Sequence, residues 1–437
     1  SVPPTVFSKG FTVTVVDTEG TKMPVRAYVS NEIKRSSILK MPVVTVPVVS
    51  AETENIVFED EVMKELCVKA FDTNGDGELS YAEAAAVTDL SKMTLTKRSF
   101  KTFNEFQYFT SVKTVPDSYF STIGLREITF PKSITTIGDS AFKGCVNLTA
   151  VVMNEGVKTI YSEAFSGCKK LTNIYLPESV TSIGYHTFYN CSSLTSIIIP
   201  GSVTSIGEEA FYNCTSLTSI TILEGVTTIG SSAFEGCSSL TSIIIPESVT
   251  TIGWSAFRGC SSLTSITILE GVTTIEPSAF SGCSSLTSIS IPESVTSVGG
   301  GVFYGCSALT KVEILGSIES FPSFDSNGFF EGCTSLTSII IPGSVTSIGD
   351  RAFYECSSLT SISIPESVTS IEPDAFRDCT SLTCTYIKAT SLSTYGSNAF
   401  YNSPTMIYVP LGSEETYKAR WSSYASQIVG YDYSAAQ

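Results

Sequence analysis

The chain has 437 residues, 42% of them hydrophobic, which is enough to bury a large core. Its 42 acidic and 26 basic side chains give a formal net charge of −16, which disfavours nucleic acid and anionic membrane surfaces as partners. A single histidine, His186, removes most general-base and zinc sites, and no apolar run is long enough to span a bilayer.

Residues 1–50 differ in character from the rest of the chain. Apolar residues alternate over 11–15 and again over 25–29, with a polar, glycine-containing stretch between them. This pattern predicts a β-hairpin. Pro42 and Pro47 then indicate an extended tether. We therefore predict a small β segment or tether, a fragment or stalk without a ligand rather than a binding module.

Residues 51–110 contain the sharpest local motif, the acidic loop from Asp72 to Glu83. It has oxygen donors at loop positions 1, 3, 5, 9 and 12, a glycine at position 6 and an apolar residue at position 8, as an EF-hand calcium loop requires. Apolar and alanine-rich stretches over 61–70 and 80–90 predict flanking helices. The region is thus predicted to be a helical, EF-hand-like cap.

The predicted calcium ligands are the side chains of four residues, one carbonyl and one hydroxyl that binds directly or through water. They are Asp72, Asn74, Asp76 and Glu83 by side chain, Glu78 by its carbonyl, and Ser80 by its hydroxyl. Because EF-hands usually pair and this loop stands alone, we expect Ca²⁺ to have a structural rather than a sensory role. The alternative is a degenerate acidic turn that holds no metal.

A repeat of 23 residues dominates residues 111–410. Phenylalanine recurs at this spacing from Phe142 to Phe303, and a cysteine follows each phenylalanine by three residues. The unit L-T-S-I-x-I-P-x-S-V-T-S-I-G-x-x-A-F-x-x-C is complete in Leu194–Cys214. A fixed period of this length is typical of a leucine-rich-repeat solenoid, in which no unit can bury its apolar side alone.

The alternation within one unit predicts where its side chains point. Ile197 and Ile199 point inward from a short strand and Ile198 points outward, and the strand ends at Pro200. We predict an α/β-type repeat protein dominated by short parallel strands, with about 12 turns beginning near Val115. Residues 411–437 would form the C-terminal cap, with Tyr417, Trp421 and Tyr424 at helical spacing for packing.

The I-x-I-P, S-V-T-S-I-G, A-F and C elements together resemble the BspA-like leucine-rich repeats of surface proteins in Bacteroides-type gut bacteria and some mucosal protists. The match covers about residues 115–410, while 56–110 resembles the leader and the end of the chain resembles the closing segment of such proteins. The resemblance implies adhesion or host and matrix protein binding, without catalysis. It also implies an outer-membrane lipoprotein or secreted form, with any lipid anchor upstream of residue 1.

The outward strand positions form a stripe of hydroxyls, isoleucines and aromatic residues, which we predict to bind an extracellular protein or glycan. The stripe is Thr129, Val152, Tyr175, Ile198, Thr221, Ile244, Thr267, Ser290, Glu313, Ile340, Ser363 and Tyr386. The alternative is that β-branched residues there merely favour the sheet. A four-residue insertion within Phe321–Phe330 adds Phe324 and Asp325 as candidate contacts.

Other residue types give weaker signals. The cysteines lack metal-site spacing, and side chains stacked in register suit a disulfide poorly, so we expect reduced, buried thiols, with Cys384 outward as the exception. His186 falls in an outer turn. An enzyme would need paired carboxylates in a cleft or a metal-bound water, and we expect neither. The competing function is a structural spacer or stalk that displays another module.

Overall fold

The computed structural model describes residues 11–16, 22–27, 54–95 and 100–436, with side chains for 54–95 and 100–434. The chain forms two compact units, Ser1–Ser50 and Ala51–Gln437. In the first, the strands Phe11–Val16 and Lys22–Ala27 pair antiparallel with Phe11 opposite Ala27, as the alternating pattern predicts. The connecting turn and the predicted tether lie outside the described residues.

The second unit is a succession of coils, and most coils contribute a strand to one side, which we call the long face. These strands are Thr102–Phe103, Glu127–Thr129, Ala150–Val152, Ser196–Ile199, Ser219–Ile222, Ser242–Ile245, Ser265–Ile268, Ser288–Ile291, Lys311–Ile314, Ser361–Ile364, Cys384–Ile387, Met406–Pro410 and Ile428–Tyr431. Single parallel bridges, Asn173 to Ser196 and Ile340 to Ser363, continue the face where no full strand forms.

A two-residue strand from each coil builds the second side, the short face. These strands are Thr114–Val115, Thr136–Ile137, Thr159–Ile160, Ser182–Ile183, Ser205–Ile206, Thr228–Ile229, Thr251–Ile252, Thr274–Ile275, Ser297–Val298, Ser320–Phe321, Ser347–Ile348, Ser370–Ile371 and Thr394–Tyr395. They form two sheets, of nine and four strands, that divide between Ser297–Val298 and Ser320–Phe321. Within each sheet the strands pair in parallel with their equivalents one coil away, for example Ser205 with Thr228 and Ile206 with Ile229. Turns carrying the phenylalanine and cysteine of each unit close the third side.

The predicted leucine-rich-repeat solenoid is confirmed, with about 14 turns of ~23 residues. It begins earlier than Val115, because Thr102–Phe103 already pairs in parallel with Glu127–Ile128. The strand Thr102–Phe103 is only two residues long and shows no alternating pattern in the sequence. The sequence alone therefore assigns it to the N-terminal cap. None of the described helices is both long and apolar enough to cross a membrane.

A stack of phenylalanine rings runs through the core from Phe120 to Phe400. Neighbouring ring centroids are 5.1 to 5.9 Å apart and the rings are nearly parallel. The phenylalanine ring and the isoleucines of one coil are buried only when the next coil packs against them. The stability of each coil therefore depends on its neighbours. At the far end Trp421 covers Phe400, with centroids 5.3 Å apart.

The cysteine thiol of each coil forms a second ladder beside the rings. Cys260 Sγ donates to the carbonyl of Phe234 in the preceding coil at 3.3 Å, and that carbonyl also accepts the Cys237 amide at 3.1 Å. In the last coil Ser403 Oγ replaces the thiol and donates to Phe376 at 2.6 Å. All cysteines are free thiols, and all except Cys384 are buried.

Two positions on the third side of most coils adopt a left-handed backbone, one before the alanine and one before the cysteine. In one coil these are Glu209 (φ 52°) and Asn213 (φ 55°). In the next coil glycine takes the second position, Gly236, with φ 73°. Left-handed φ suits glycine and asparagine best, which explains their recurrence before the cysteine.

The N-terminal cap contains the α-helices Glu61–Phe71 and Tyr81–Ala86, then the 3₁₀ helices Leu90–Lys92 and Asn104–Tyr108. Asp60 caps the first helix by accepting the amides of Val62 and Met63. The second helix is shorter than the alanine-rich sequence predicts, because Val87 takes an extended backbone. Phe106 packs 6.5 Å from Phe120 and so covers the first ring of the stack.

The C-terminal cap is less helical than the aromatic spacing predicts. The α-helix covers only Glu414–Arg420, and 3₁₀ helices follow at Ser422–Gln427 and Tyr433–Ala436. Trp421 ends the helix with a non-helical backbone (φ −108°, ψ 59°), and its ring is buried over the solenoid core at 3% exposure. Ile428–Tyr431 then adds a last parallel strand to Met406–Pro410.

Candidate functional site

The predicted stripe lies on the long face, and most of its residues point outward. In each full strand the burial alternates, so Ile197 and Ile199 are buried while Ile198 is exposed. The exposed fractions of Ile198, Ile244 and Ile340 are 59%, 61% and 85%. These side chains stand among hydroxyl residues at equivalent positions, including Thr221. The stripe is therefore polar with large apolar side chains at intervals.

Two members of the stripe are only half-exposed. Thr129 Oγ1 donates to Asn104 Oδ1 of the cap at 3.1 Å, so the cap restricts this end. Tyr386 stacks on Tyr408 with ring centroids 4.8 Å apart, and Tyr431 meets both rings edge-on. Tyr408 continues the stripe beyond the predicted set. Its coil departs from the repeat spacing, so the periodicity does not identify it. The similarity of Ile407-Tyr408-Val409 to Thr385-Tyr386-Ile387 was a usable sequence signal.

A groove crosses the middle of the stripe between Ile244 and Ile340. Its volume is about 330 Å³ and its exposed polar walls include Thr267, Ser290 and Glu313. Lys311 Nζ lies 3.9 Å from Glu313 Oε2 at one edge. The groove thus combines small hydroxyls with one ion pair, and an exposed isoleucine stands on either side.

The four-residue insertion is a tight β-hairpin on the solenoid edge. Phe324 and Asn327 exchange backbone hydrogen bonds of 2.9 Å in both directions, and Asp325 and Ser326 at the tip have φ of 50° and 65°. This is the left-handed pair that a two-residue hairpin turn requires. The Phe324 ring lies edge-on to Trp254, with centroids 6.2 Å apart. Of the two predicted contact residues, Asp325 lies at the tip of the hairpin and Phe324 packs against Trp254.

The acidic loop lies between the two helices of the N-terminal cap, as predicted. Asp72 accepts the amides of Gly75 and Gly77, while Asn74 and Asp76 accept the amides of Asp76 and Glu78. The two glycines have φ of 76° and 83°, which the sharp turn needs. An antiparallel bridge between Ser80 and Asn55 joins the C-terminal part of the loop to the segment that precedes the first helix.

Glu83, at loop position 12, reaches back across the loop. One carboxylate oxygen accepts the Thr73 amide at 2.8 Å, and the other accepts the Ser80 amide at 3.0 Å in a capping box. Burial raises the pKa of Glu83, but these hydrogen bonds from Ser80 and Thr73 outweigh it and lower the pKa to about 2. The carboxylate is therefore ionised at neutral pH.

The donor set of the loop suits a hard cation, because every predicted ligand atom is oxygen. In the side-chain arrangement described for residues 54–95 and 100–434, however, no three His, Cys, Asp or Glu side chains converge to hold a metal ion. The loop carboxylates instead accept the loop's own amides. Glu78 turns its side chain away, to Lys64 Nζ at 2.8 Å, which leaves only its carbonyl for a ligand.

His186 lies in the outer turn where the sequence places it, but its ring is not freely solvated. Its Nε2 is 2.7 Å from Glu209 Oε2, and the Tyr185 ring stacks on it at 3.5 Å. Glu163 Oε1 lies 3.9 Å from Nδ1 on the other side. The imidazole thus joins three neighbouring coils through their third side.

Comparisons with known proteins agree with this geometry. The family model for the BspA type leucine rich repeat region matches residues 94–218, 204–326 and 323–424. A leucine-rich repeat protein of Bacteroides ovatus is 31% identical, and the alignment covers 74% of this chain and 88% of that one with a TM-score of 0.59. A leucine-rich cell surface protein of Faecalibacterium prausnitzii is 30% identical over 71% and 86% of the two chains, with a TM-score of 0.44. A comparison with curated proteins found no match.

Proposed function

Because this chain belongs to the BspA-type leucine-rich repeat family, we propose that it is a non-catalytic binding protein that recognises an extracellular protein or glycan through the stripe on its long face. The proposed location is the cell surface or the extracellular space. The observation that carries the proposal is the exposure of Ile198, Ile244 and Ile340 on the long face of the solenoid.

The fold does not require isoleucine at these three positions. Thr221 and Ser290 occupy equivalent places in coils with the same strand pairing. Threonine has the same β-branched shape as isoleucine and favours strands comparably, so sheet propensity does not explain the choice. Apolar side chains left in water cost free energy that a partner recovers on binding, at about 25 cal/mol for each Å² buried. This supports the stripe as a contact surface.

The test is an immobilised array of extracellular matrix proteins and mucin glycans probed with the wild-type chain and the triple variant Ile198→Ser, Ile244→Ser, Ile340→Ser. We expect the triple variant to lose at least about tenfold in affinity for the component that the wild type binds. The matched control is Val57→Ser with Leu411→Ser, which removes exposed apolar side chains from the two caps and should leave binding unchanged.

Two outcomes would oppose the proposal. If the wild type binds no array component above a denatured sample, the spacer or stalk function is favoured. If the triple variant and the control bind equally well, recognition lies elsewhere on the molecule.

We also propose that the loop Asp72–Glu83 binds one Ca²⁺ with a structural role. The oxygen donors at the required spacing and the two left-handed glycines support this proposal. Bound Ca²⁺ would neutralise the loop carboxylates and hold the two cap helices at a fixed angle. The ligands would be the six groups predicted from the sequence.

Calorimetric titration with Ca²⁺ after chelator treatment tests the calcium proposal. Glu83→Gln should weaken binding about tenfold or more, while glutamine still supports the capping box. Glu78→Gln is the control, because its side chain contacts Lys64 and the carbonyl is unchanged. Absence of heat in the wild type, or equal binding by Glu83→Gln, would count against a calcium site.

A further inference from the structure

The last coil is shorter than the others where it turns from the third side to the long face. Pro404 and Thr405 alone connect Ser403 to the strand, whereas Thr380–Thr383 connect Cys379 to its strand one coil earlier. The strand pairing of Met406 with Cys384 places Pro404 at the position of Leu382. Leu382 is fully buried, but Pro404 is exposed. The leucine of the full coils therefore has no buried counterpart at position 404, and Thr405 is buried beside it instead.

A cleft of about 600 Å³ lies at this corner, between the last coil and the C-terminal cap. Its walls are Thr380, Asn398, Phe400, Tyr401, Asn402, Ser403, Pro404, Ser423, Tyr424 and Gln427. The cleft faces the third side and the end of the solenoid, and it shares no residue with the stripe. Its volume lies within the usual range for small-ligand sites.

Three of the side chains in the wall are held in place, Tyr401 and Asn402 by neighbours outside the cleft and Tyr424 by another residue of the wall. The Arg377 guanidinium lies 5.0 Å from the centroid of the Tyr401 ring. Asp378 Oδ1 accepts the Asn402 side-chain amide at 2.7 Å, and Tyr424 Oη accepts the Phe400 amide at 3.3 Å. Side chains fixed in this way lose little conformational entropy when a ligand binds.

The chemistry of the wall is neutral throughout. It offers the amides of Asn398 and Gln427, the hydroxyls of Thr380 and Ser423, and the exposed ring of Tyr401, with no charged side chain. Amides and hydroxyls pair with vicinal hydroxyl groups, and an aromatic ring packs on the apolar face of a sugar ring. The net charge of −16 works against anionic ligands.

From this arrangement we propose that the C-terminal cleft is a binding site for a neutral oligosaccharide, with Tyr401 as the stacking platform and Asn398, Asn402 and Gln427 as hydrogen-bonding residues. The site is separate from the stripe and does not depend on the function proposed for it. The cleft lies where the short last turn meets the C-terminal cap, a combination that the full coils among the described residues do not repeat.

Saturation-transfer NMR and calorimetry with the full chain test this site. The probes are N-acetyllactosamine, cellobiose and maltotriose as neutral sugars, with sialyllactose and a heparin disaccharide as anionic ones. Tyr401→Ala and Gln427→Ala should each weaken binding of a neutral sugar about tenfold. Tyr304→Ala is the matched control, because Tyr304 follows Phe303 as Tyr401 follows Phe400, in a coil with a full-length turn.

Thermal melting checks that each variant stays folded. Gln427→Ala keeps the Tyr401 ring in place, so a loss of binding in this variant cannot be attributed to lost aromatic packing. Binding of at least one neutral sugar that Tyr401→Ala and Gln427→Ala weaken and Tyr304→Ala leaves unchanged would support the site. The proposal is overturned if none of the neutral sugars binds, if Tyr304→Ala weakens binding equally, or if an anionic probe binds more tightly than every neutral one. The triple variant of the stripe should bind the neutral sugar as tightly as the wild type does. A loss of sugar binding in that variant would also overturn the proposal.

Discussion

At the scale of single residues, the thiol ladder shows how one side chain serves two coils. Cysteine is small enough for the interior beside the phenylalanine ring, and its thiol reaches the carbonyl of the coil before it. Ser403 makes the same contact where cysteine is replaced, so the hydrogen bond and not the sulfur chemistry accounts for the position. Burial raises the pKa of Cys191 and of Cys237 to about 12, which keeps both thiols protonated at neutral pH.

Thiol labelling at pH 8 checks this account of the cysteines. We expect the native chain to react with a disulfide reagent at Cys384 alone, because the others are buried and thiolate is the reactive form. All 13 cysteines should react in denaturant. Cys384→Ser should abolish labelling of the native chain. Rapid reaction of several thiols in the folded state would contradict the buried ladder.

At the scale of structural elements, the insertion hairpin and the preceding coil fit each other. The hairpin lies over Gly299–Gly301, the only run of three glycines in the chain. A Cβ at Gly300 would lie 2.2 Å from the Ser323 carbonyl oxygen and 2.6 Å from the Phe324 amide nitrogen. Glycine at this position therefore lets the hairpin approach closely enough for Phe324 to contact Trp254.

The variant Gly300→Ala should displace the hairpin. We expect a loss of about 1–3 kcal/mol in the free energy of unfolding, because the clash is with backbone atoms that cannot rotate away. Acrylamide should quench Trp254 more strongly, and Trp421 serves as an internal reference since it is 3% exposed. Ser231→Ala, at the equivalent position of an earlier coil, should change neither quantity. Unchanged quenching in Gly300→Ala would show that the hairpin tolerates the methyl group.

The sequence predicts the repeating elements well and the irregular ones poorly, for a physical reason. Ile197, Ile199 and Phe211 recur at fixed spacing, and a recurring apolar residue must be buried in every coil or in none. The hairpin and the C-terminal cleft each occur once, so no periodicity reveals them. The triple glycine was a local signal for the hairpin, but its meaning depends on a contact with the next coil that only the structure shows.

At the scale of the whole molecule, each coil contacts chiefly the coils beside it. The phenylalanine stack, the thiol ladder and both strand faces all join neighbours one repeat apart. A stretch of complete coils is therefore a removable unit, provided that the new neighbours match. Residues 219–264 make up such a stretch, because Ser265–Val272 repeats the sequence of Ser219–Val226 without change.

Deleting residues 219–264 should give a folded, cooperatively unfolding chain with a lower free energy of unfolding. Ser196–Ile199 would then pair with Ser265–Ile268, a strand of the same sequence as its present partner. Circular dichroism and denaturant unfolding measure the outcome. Deleting 219–252, which ends within a coil, is the control and should prevent folding, because Thr218 would be followed directly by the turn at Gly253 and the joined coil would lack both of its strands. Equal behaviour of the two deletions would mean that coil register does not govern stability.

The thiol ladder also bears on where the protein can fold. Its cysteines hold the coils together as hydrogen-bond donors and never as crosslinks, so neither glutathione nor an oxidising periplasm alters the bonds that define the solenoid. We therefore expect the same chain to reach its native state in a reducing cytosol as well, and we expect oxidants to react with the ladder sulfur atoms only after the stacked coils open.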